Sequence, residues 1–249
     1  KLEPNSKSMM KTKLTLFVAV LAAALFGVGC ASTDTAGNQK TAKPEEPKEP
    51  AFVKEGLVAY YPFNGNAKDE SGNGSDGTVV GATLTKDRHD VAGKAYSFDG
   101  DDLISIGNAV TYSDKITVTS WIRHAGQSPN ALGQGWATIM GGPPRDILFT
   151  LIGKRLTFSG EYRNPFREDL RSTTSLSDNK WHHVVANYDG SVAKIFIDGE
   201  LEDSLKATGP FRPGEKNIGR STPQNLYFTG LIDDVRIYNR ALSAEEEKP

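Results

Sequence analysis

From Phe52 onward, short runs of β-branched and aromatic residues alternate with turn signals, and no long stretch carries apolar residues at helical spacing. A chain written this way can bury its apolar side chains only by pairing strands. The runs fall at 57–63, 78–80, 95–98, 103–106, 116–123, 137–140, 147–152, 155–159, 173–175, 183–188, 193–197 and 231–238. Asp-Gly pairs begin at Asp99, Asp189 and Asp198. These residues accept the positive φ of tight hairpin turns. V-A-K-I-F-I-D-G-E-L reads most clearly, as strand, turn and return strand. The one helix start is near the end, where Ser243 and Glu246 have the spacing of a capping box. The expected fold class is all-β, an antiparallel sandwich of two sheets. About 190 residues in one such unit suit a single domain.

The front of the chain is of another kind. K-T-K at 11–13 precedes an apolar run from Leu14 to Gly29. Basic, then apolar, then small residues is the order of a secretory signal. The run is short for a membrane span, which needs about 20 apolar residues; a retained anchor helix is the alternative. Translation is expected to start at Met9 or Met10, which leaves residues 1–8 unassigned and makes 9–29 the signal. Cys30, the only cysteine, stands where the signal would be cut. L-F-G-V-G-C resembles a bacterial lipobox, with Gly27 departing from it, so Cys30 is the expected lipidation site. Residues 30–54, with K-P-E-E-P-K-E-P at 43–50, are too polar and proline-rich to build a core and read as a semi-extended tether. The chain is expected to be exported as a cell-envelope lipoprotein; the alternative is an ordinary signal with a chance cysteine nearby and a secreted product. Ala31 and Ser32 lean the reading towards the outer membrane or cell surface. The net charge of −2, with no basic cluster among aromatics, argues against nucleic acid as a partner.

Five segments carry a resemblance when taken together: G-L-V-A-Y-Y-P-F-N-G-N-A-K-D-E-S-G-N-G from Gly56, A-Y-S-F-D-G from Ala95, N-K-W-H-H-V-V-A-N-Y-D-G from Asn179, I-F-I-D-G-E from Ile195 and G-L-I-D-D-V-R-I-Y-N-R-A-L-S from Gly230. In this order they resemble the laminin G-like, concanavalin A-like jelly-roll modules of bacterial surface proteins, over about residues 55–245. The resemblance implies two antiparallel sheets face to face, a structural calcium in many members, and glycan binding in many but not all. It departs at 246–249, where the family often continues into a short helix.

D-E-S-G-N-G-S-D-G at 69–77 sets oxygen-bearing residues at alternate positions before a glycine, as calcium loops do. An EF-hand is excluded, because its twelfth position is Val80. In L-I-D-D-V-R-I-Y, Asp233 shares strand parity with Leu231, Val235 and Ile237, so an inward face would direct its carboxylate at the core. Such a charge needs a cation or several hydrogen bonds. If the first and last strands are neighbours, Asp233 approaches the loop. The expected calcium set is therefore Asp69, Ser71, Asn73, Asp76 and Asp233. The alternative is an Asx-type polar turn in which Asp69 and Asp76 accept from backbone N–H groups. Asp99 is a weaker metal candidate, explained already by its turn.

No catalytic residue is expected. Hydrolytic relatives of such a fold carry E-x-D-x-x-E on a strand, which turns acids to one side. Glu200-Leu201-Glu202-Asp203 does not fit that pattern and reads as a solvated edge. Neither G-x-S-x-G nor H-E-x-x-H occurs. Gly72, Gly74 and Gly77 spell G-x-G-x-x-G, but a strand rather than a helix follows. His182 and His183 point to opposite faces, as adjacent strand residues do, and read as packing groups. Trp121 and Trp181 are expected in the core. Trp136, Tyr162, Arg163 and Phe166 lie in loop-like stretches and form the candidate ligand rim, with simple loop packing as the alternative. The expected function is a non-catalytic carbohydrate-binding or adhesion module, a glycan or polysaccharide its partner and a lipid its membrane anchor. The alternatives are a protein-interaction or structural envelope module and, less favoured, a polysaccharide hydrolase.

Overall fold

A computed structural model describes residues 53–112, 114–126, 135–143, 146–160, 170–207, 211, 214–222 and 225–249. Among them there is no helix and there are seventeen strands. Eight form one antiparallel sheet: β1 (Leu57–Tyr61), β3 (Thr83–Lys86), β4 (Ala92–Asp99), β6 (Ile116–Arg123), β11 (Trp181–Tyr188), β12 (Val192–Ile197), β13 (Glu200–Lys206) and β17 (Thr229–Tyr238). Seven form the other: β2 (Thr78–Val80), β5 (Leu103–Gly107), β7 (Trp136–Gly141), β8 (Leu148–Ile152), β9 (Arg155–Ser159), β10 (Arg171–Ser175) and β14 (Lys216–Ile218). A ribbon of β15 (Arg220–Ser221) and β16 (Leu226–Tyr227) follows. The expected two-sheet sandwich is what the chain forms.

Alternation decides which residues close the sandwich. Val118 and Ile122 of β6, Val184 and Ala186 of β11, and Phe149 and Leu151 of β8 and β7's Ile139 join one core with Tyr61, Phe63 and Phe98. The Asp198-Gly199 hairpin turns as expected: both residues take positive φ, 52° and 84°, the combination a two-residue turn between twisted strands requires. Four short strands carry no clear pattern in the sequence: β3, β14, β15 and β16.

The eight-stranded sheet runs β13-β12-β11-β6-β17-β4-β3. An inner strand, β17, has β6 along one edge and divides its other edge between two partners. β4 pairs with Thr229–Ile232, and β1 pairs with residues 235–238. At the junction the register slips between Asp233 and Arg236, and Asp234 takes a φ of 52°. A bulge inserts a residue and reverses facing beyond it. Ile232, Val235 and Ile237 therefore all reach the core, which strict alternation forbids. Asp233 is thrown to the outer face, so the parity expected for it does not hold.

That outer face is partly covered. Residues 242–249 fold back across it. Asn187 Nδ2 donates to Leu242 O at 2.8 Å and to the carboxylate of Glu247, and Leu242 N–H donates to Thr117 Oγ1 at 3.1 Å. Glu246 caps the Ser243 N–H at 2.8 Å, half of the expected capping box, but the segment is a turn. Beyond this flap the face is open, and there the cleft lies.

Candidate functional site

Three neighbouring strands set one row of side chains across the outer face. Trp121 of β6 lies in register with His183 of β11 on one side and Asp233 of β17 on the other. The next outward positions add Trp181 from β11 and Arg236 from β17. Arg88 enters from the β3–β4 loop. Asp87 Oδ1 accepts the N–H groups of His89 and Val91, both at 2.8 Å, and this tightens the loop so that Arg88 leans over the sheet. Together Arg88, His89, Trp121, Trp181, His183, Asp234, Arg236 and Pro249 line an open cleft of about 390 Å³.

The floor of the cleft is a chain of alternating charges. Arg88 Nη1 meets Asp233 Oδ2 at 2.7 Å, Arg88 Nη2 meets Asp234 Oδ2 at 3.5 Å, and Arg236 Nη2 meets the same oxygen at 2.8 Å. The guanidinium of Arg88 lies 4.9 Å from the centre of the Trp121 ring, and that of Arg236 lies 5.0 Å from the centre of Tyr60. Stacking of this kind suits the flat, weakly hydrated guanidinium. Burial opposes the charge on Arg236, but Asp234 outweighs it and holds the group above its ordinary range.

The lining side chains outside this charge chain include the exposed His89, Trp181 and His183. Trp181 is half-buried and makes no ring or cation contact among the described residues, unlike Trp121, which is flanked by Arg88 and by the His183 ring at 5.4 Å. His183 is 3% exposed, and its Nδ1 has no hydrogen-bond partner among the described residues. Burial first, and then the nearby Arg236, push this imidazole down to about 4. It is neutral at neutral pH and offers a donor on one nitrogen and an acceptor on the other. A buried polar atom without a protein partner costs about 1–3 kcal/mol, and because Nδ1 is enclosed by protein that cost is borne within the fold.

Trp121 and Trp181 are thus on the outer face and not in the core, because their strands turn Ile122 and Val184 inward instead. Trp136, from the expected ligand rim, begins β7 in the other sheet. Tyr162, Arg163 and Phe166 of the same rim, and Cys30, lie outside the described residues. His182 and His183 do face opposite ways. His182 contacts Asp198 at 2.8 Å and Asp178 at 3.1 Å.

The 69–77 loop uses its oxygens on backbone. Asp69 Oδ1 accepts from the N–H groups of Tyr60 and Ser71, both at 2.9 Å, and Oδ2 from Ser75 at 3.0 Å. Asp76 Oδ1 accepts from Asp69 N–H at 3.0 Å. Ser71 Oγ accepts from Asn73 N–H at 3.2 Å, and Asn73 Nδ2 reaches the carbonyls of Leu57 and Val58, both at 3.2 Å. Burial alone would raise the Asp69 carboxyl, but its donors, Ser71 foremost, hold it below the ordinary range. This is the Asx-type arrangement. Asp233 is directed to Arg88 and does not join the loop's carboxylates. Among the described residues, one acid cluster has ligand atoms within 4.8 Å of one another: Asp99, Asp101 and Asp102 in the F-D-G-D-D turn. That spacing could hold a metal ion. Crowding shows in the carboxyls: a hydrogen bond and then the charge of Asp99 raise Asp101, while burial leads the rise of Asp102.

Glu202 and Asp203, read as a solvated edge, pin the two sheets together. Glu202 accepts from the N–H and hydroxyl groups of Thr173 and Thr174 at 2.5–3.1 Å, and Asp203 accepts from Arg171 N–H at 3.0 Å.

A laminin G-type family model, described as the concanavalin A-like lectin/glucanases superfamily, matches residues 98–246. The chain belongs to that superfamily. Among solved structures, this concanavalin A-like domain is similar to domain 4 of AbnA, a GH43 extracellular arabinanase from Geobacillus stearothermophilus, in complex with arabinotriose. The identity is 22% over 77% of this chain and 96% of that one, with a TM-score of 0.63. It is also similar to the binding domain of Paraclostridial Mosquitocidal Protein 1, at 18% identity over 78% and 51% of the two chains and a TM-score of 0.61. The botulinum neurotoxin type G receptor binding domain follows at 17% identity, 77% and 50% coverage and a TM-score of 0.55. This chain spans about half of each toxin domain. At these identities the likeness is one of fold. A search of curated proteins returned no match.

Proposed function

We propose that the domain is a non-catalytic carbohydrate-binding module and that the cleft on the outer face of the eight-stranded sheet is its sugar site. The observation that carries this reading is the pairing of the half-buried indole of Trp181 with the polar groups of Arg88, His89 and Arg236 in one open cleft. Sugars present apolar ring faces and hydroxyls that both donate and accept, so they match such a pair. The AbnA domain that shares the fold was solved with arabinotriose, which supports the reading. So does the state of the two acids nearest the cleft. Asp233 and Asp234 are each 2% exposed and engaged by guanidiniums, a poor disposition for attack on a glycosidic bond.

Affinity electrophoresis of the full chain against a panel of polysaccharides tests the proposal. Trp181→Ala is expected to abolish retardation, and Trp136→Ala to leave it unchanged. Full affinity in Trp181→Ala, with loss in Trp136, Tyr162, Arg163 or Phe166 variants, would move the site to that rim. A protein-interaction module remains the second reading, favoured by the exposed Val79, Val80 and Leu84 on the edge strands β2 and β3.

Export and lipid anchoring at Cys30 belong to the same proposal and rest on residues 11–30. Membrane fractionation of a Cys30→Ala variant checks them, with release into the soluble fraction expected. Calcium enters as a stabiliser and not as a sugar contact. The crowded Asp99, Asp101 and Asp102 are its best-placed ligands.

A further inference from the structure

We infer that the cleft selects uncharged sugars and discriminates against acidic ones such as uronates. The inference rests on the sugar-site reading and deepens it by naming the ligand class. Its ground is the charge balance of the floor. Two guanidiniums, Arg88 and Arg236, face two carboxylates, Asp233 and Asp234, and each cation meets a carboxylate oxygen at 2.7 or 2.8 Å. The flat faces of the cations are also occupied, by Trp121 and Tyr60. A sugar carboxylate entering the cleft finds neither guanidinium without a partner. To pair with Arg88 or Arg236 it would have to displace Asp233 or Asp234 and leave that carboxylate buried and uncompensated, which is strongly unfavourable. It would also lose its own hydration. The imidazole of His183 adds no positive charge at neutral pH. What the floor does offer is polar edges without net charge, beside the Trp181 ring. Hydroxyls can bond to these in either sense, and hydrogen bonds to charged groups are stronger than neutral ones.

The test compares an uncharged oligosaccharide from the polysaccharides retained by the full chain with the same oligosaccharide oxidised at C6 to uronate. Isothermal titration is run at low and high salt. The uncharged form is expected to bind at least about tenfold tighter, with an affinity that salt leaves unchanged, because no net charge is screened. Asp234→Asn supplies a second arm. Asparagine accepts the left-handed backbone that Asp234 adopts and removes one negative charge from the floor. The variant is expected to gain affinity for the uronate and to become salt-sensitive in binding it. Tighter, salt-dependent binding of the uronate by the unaltered chain would overturn the inference while leaving the cleft a sugar site. If Asp234→Asn does not fold, the salt dependence of the unaltered chain still decides. Equal binding of either form by Trp181→Ala and the unaltered chain would overturn the sugar site itself.

Discussion

Replacing Glu247 by glutamine is expected to make the domain more stable above neutral pH and to leave it unchanged in acid. Glu247 is 1% exposed. It accepts from Asn187 Nδ2 beneath the flap of residues 242–249. Burial raises its carboxyl from 4.5 to about 7, against the pull of Asn187 and Lys194. In the unfolded chain the group ionises near its ordinary value, so between these two pH values the native state holds a proton that the unfolded state has released. Stability is therefore complete below the unfolded value, falls as pH rises towards about 7, and is level beyond it. The separation corresponds to about 3 kcal/mol at ~1.4 kcal/mol per tenfold in proton affinity. That is an upper bound, because the flap can detach locally once its detachment costs less than the buried charge. A working figure is about 1–2 kcal/mol, or roughly 3–6 °C in Tm for a domain of this size. The assay is thermal and urea unfolding of the unaltered chain and Glu247→Gln at about pH 5 and about pH 8.5. Glutamine keeps the acceptor for Asn187 and removes the charge. The difference between the two proteins isolates Glu247 from every other titrating group. An equal difference at both pH values would refute the reasoning.

Arg88→Ala is expected to destabilise the domain by about 3–5 kcal/mol by leaving Asp233 buried without its cation, and urea unfolding reads the loss. Lys216 and Asp146, 0% and 2% exposed and 3.3 Å apart in the core beside Tyr112, should behave alike: Lys216→Met alone costs about 3–5 kcal/mol, and adding Asp146→Asn recovers part of it in a double-mutant cycle. Glu202→Ala removes the acceptor for Thr173 and Thr174, and faster hydrogen exchange is expected in β10 than elsewhere in its sheet. Added calcium after chelation is expected to raise Tm. Asp101→Asn should abolish that rise and Asp69→Ala preserve it; the opposite result returns the ion to the 69–77 loop.

The strands with strong alternation, such as β6, β11 and β12, were legible because their inner residues are apolar, and β11 and β12 also end at Asp-Gly turns. β3 and β14 were not: T-L-T-K and K-N-I are short and polar, and they pair only because long neighbours present open edges. The cleft was hidden for a related reason. Val185 and Thr119 on the outer face are 0% and 4% exposed, since the flap and loops cover them, so burial on both faces gave no sign of which side Trp121 and Trp181 occupy. The bulge at Asp233 and Asp234 breaks parity without any glycine to announce it. Arg88 comes to Asp233 from 145 residues away, a separation at which local pattern carries nothing. The Asx alternative for Asp69 and Asp76 could be read from their spacing to backbone N–H groups, and that is how they are used.

Of the seventeen described strands, the one that joins β1, β4 and β6 into the larger sheet, β17, is made after the other sixteen. Until residues 229–238 leave the ribosome, β1 has no partner at all, and β4 and β6 each present a bare edge. Native pairing there must wait until β17 has been made, and closure then joins segments far apart in the chain, which is intrinsically slow. During that wait the bare edges can pair with those of other nascent chains. A premature stop just before Thr229 should therefore produce an aggregating species and not a smaller folded domain, and the yield of native protein should respond to chaperones that shield strand edges.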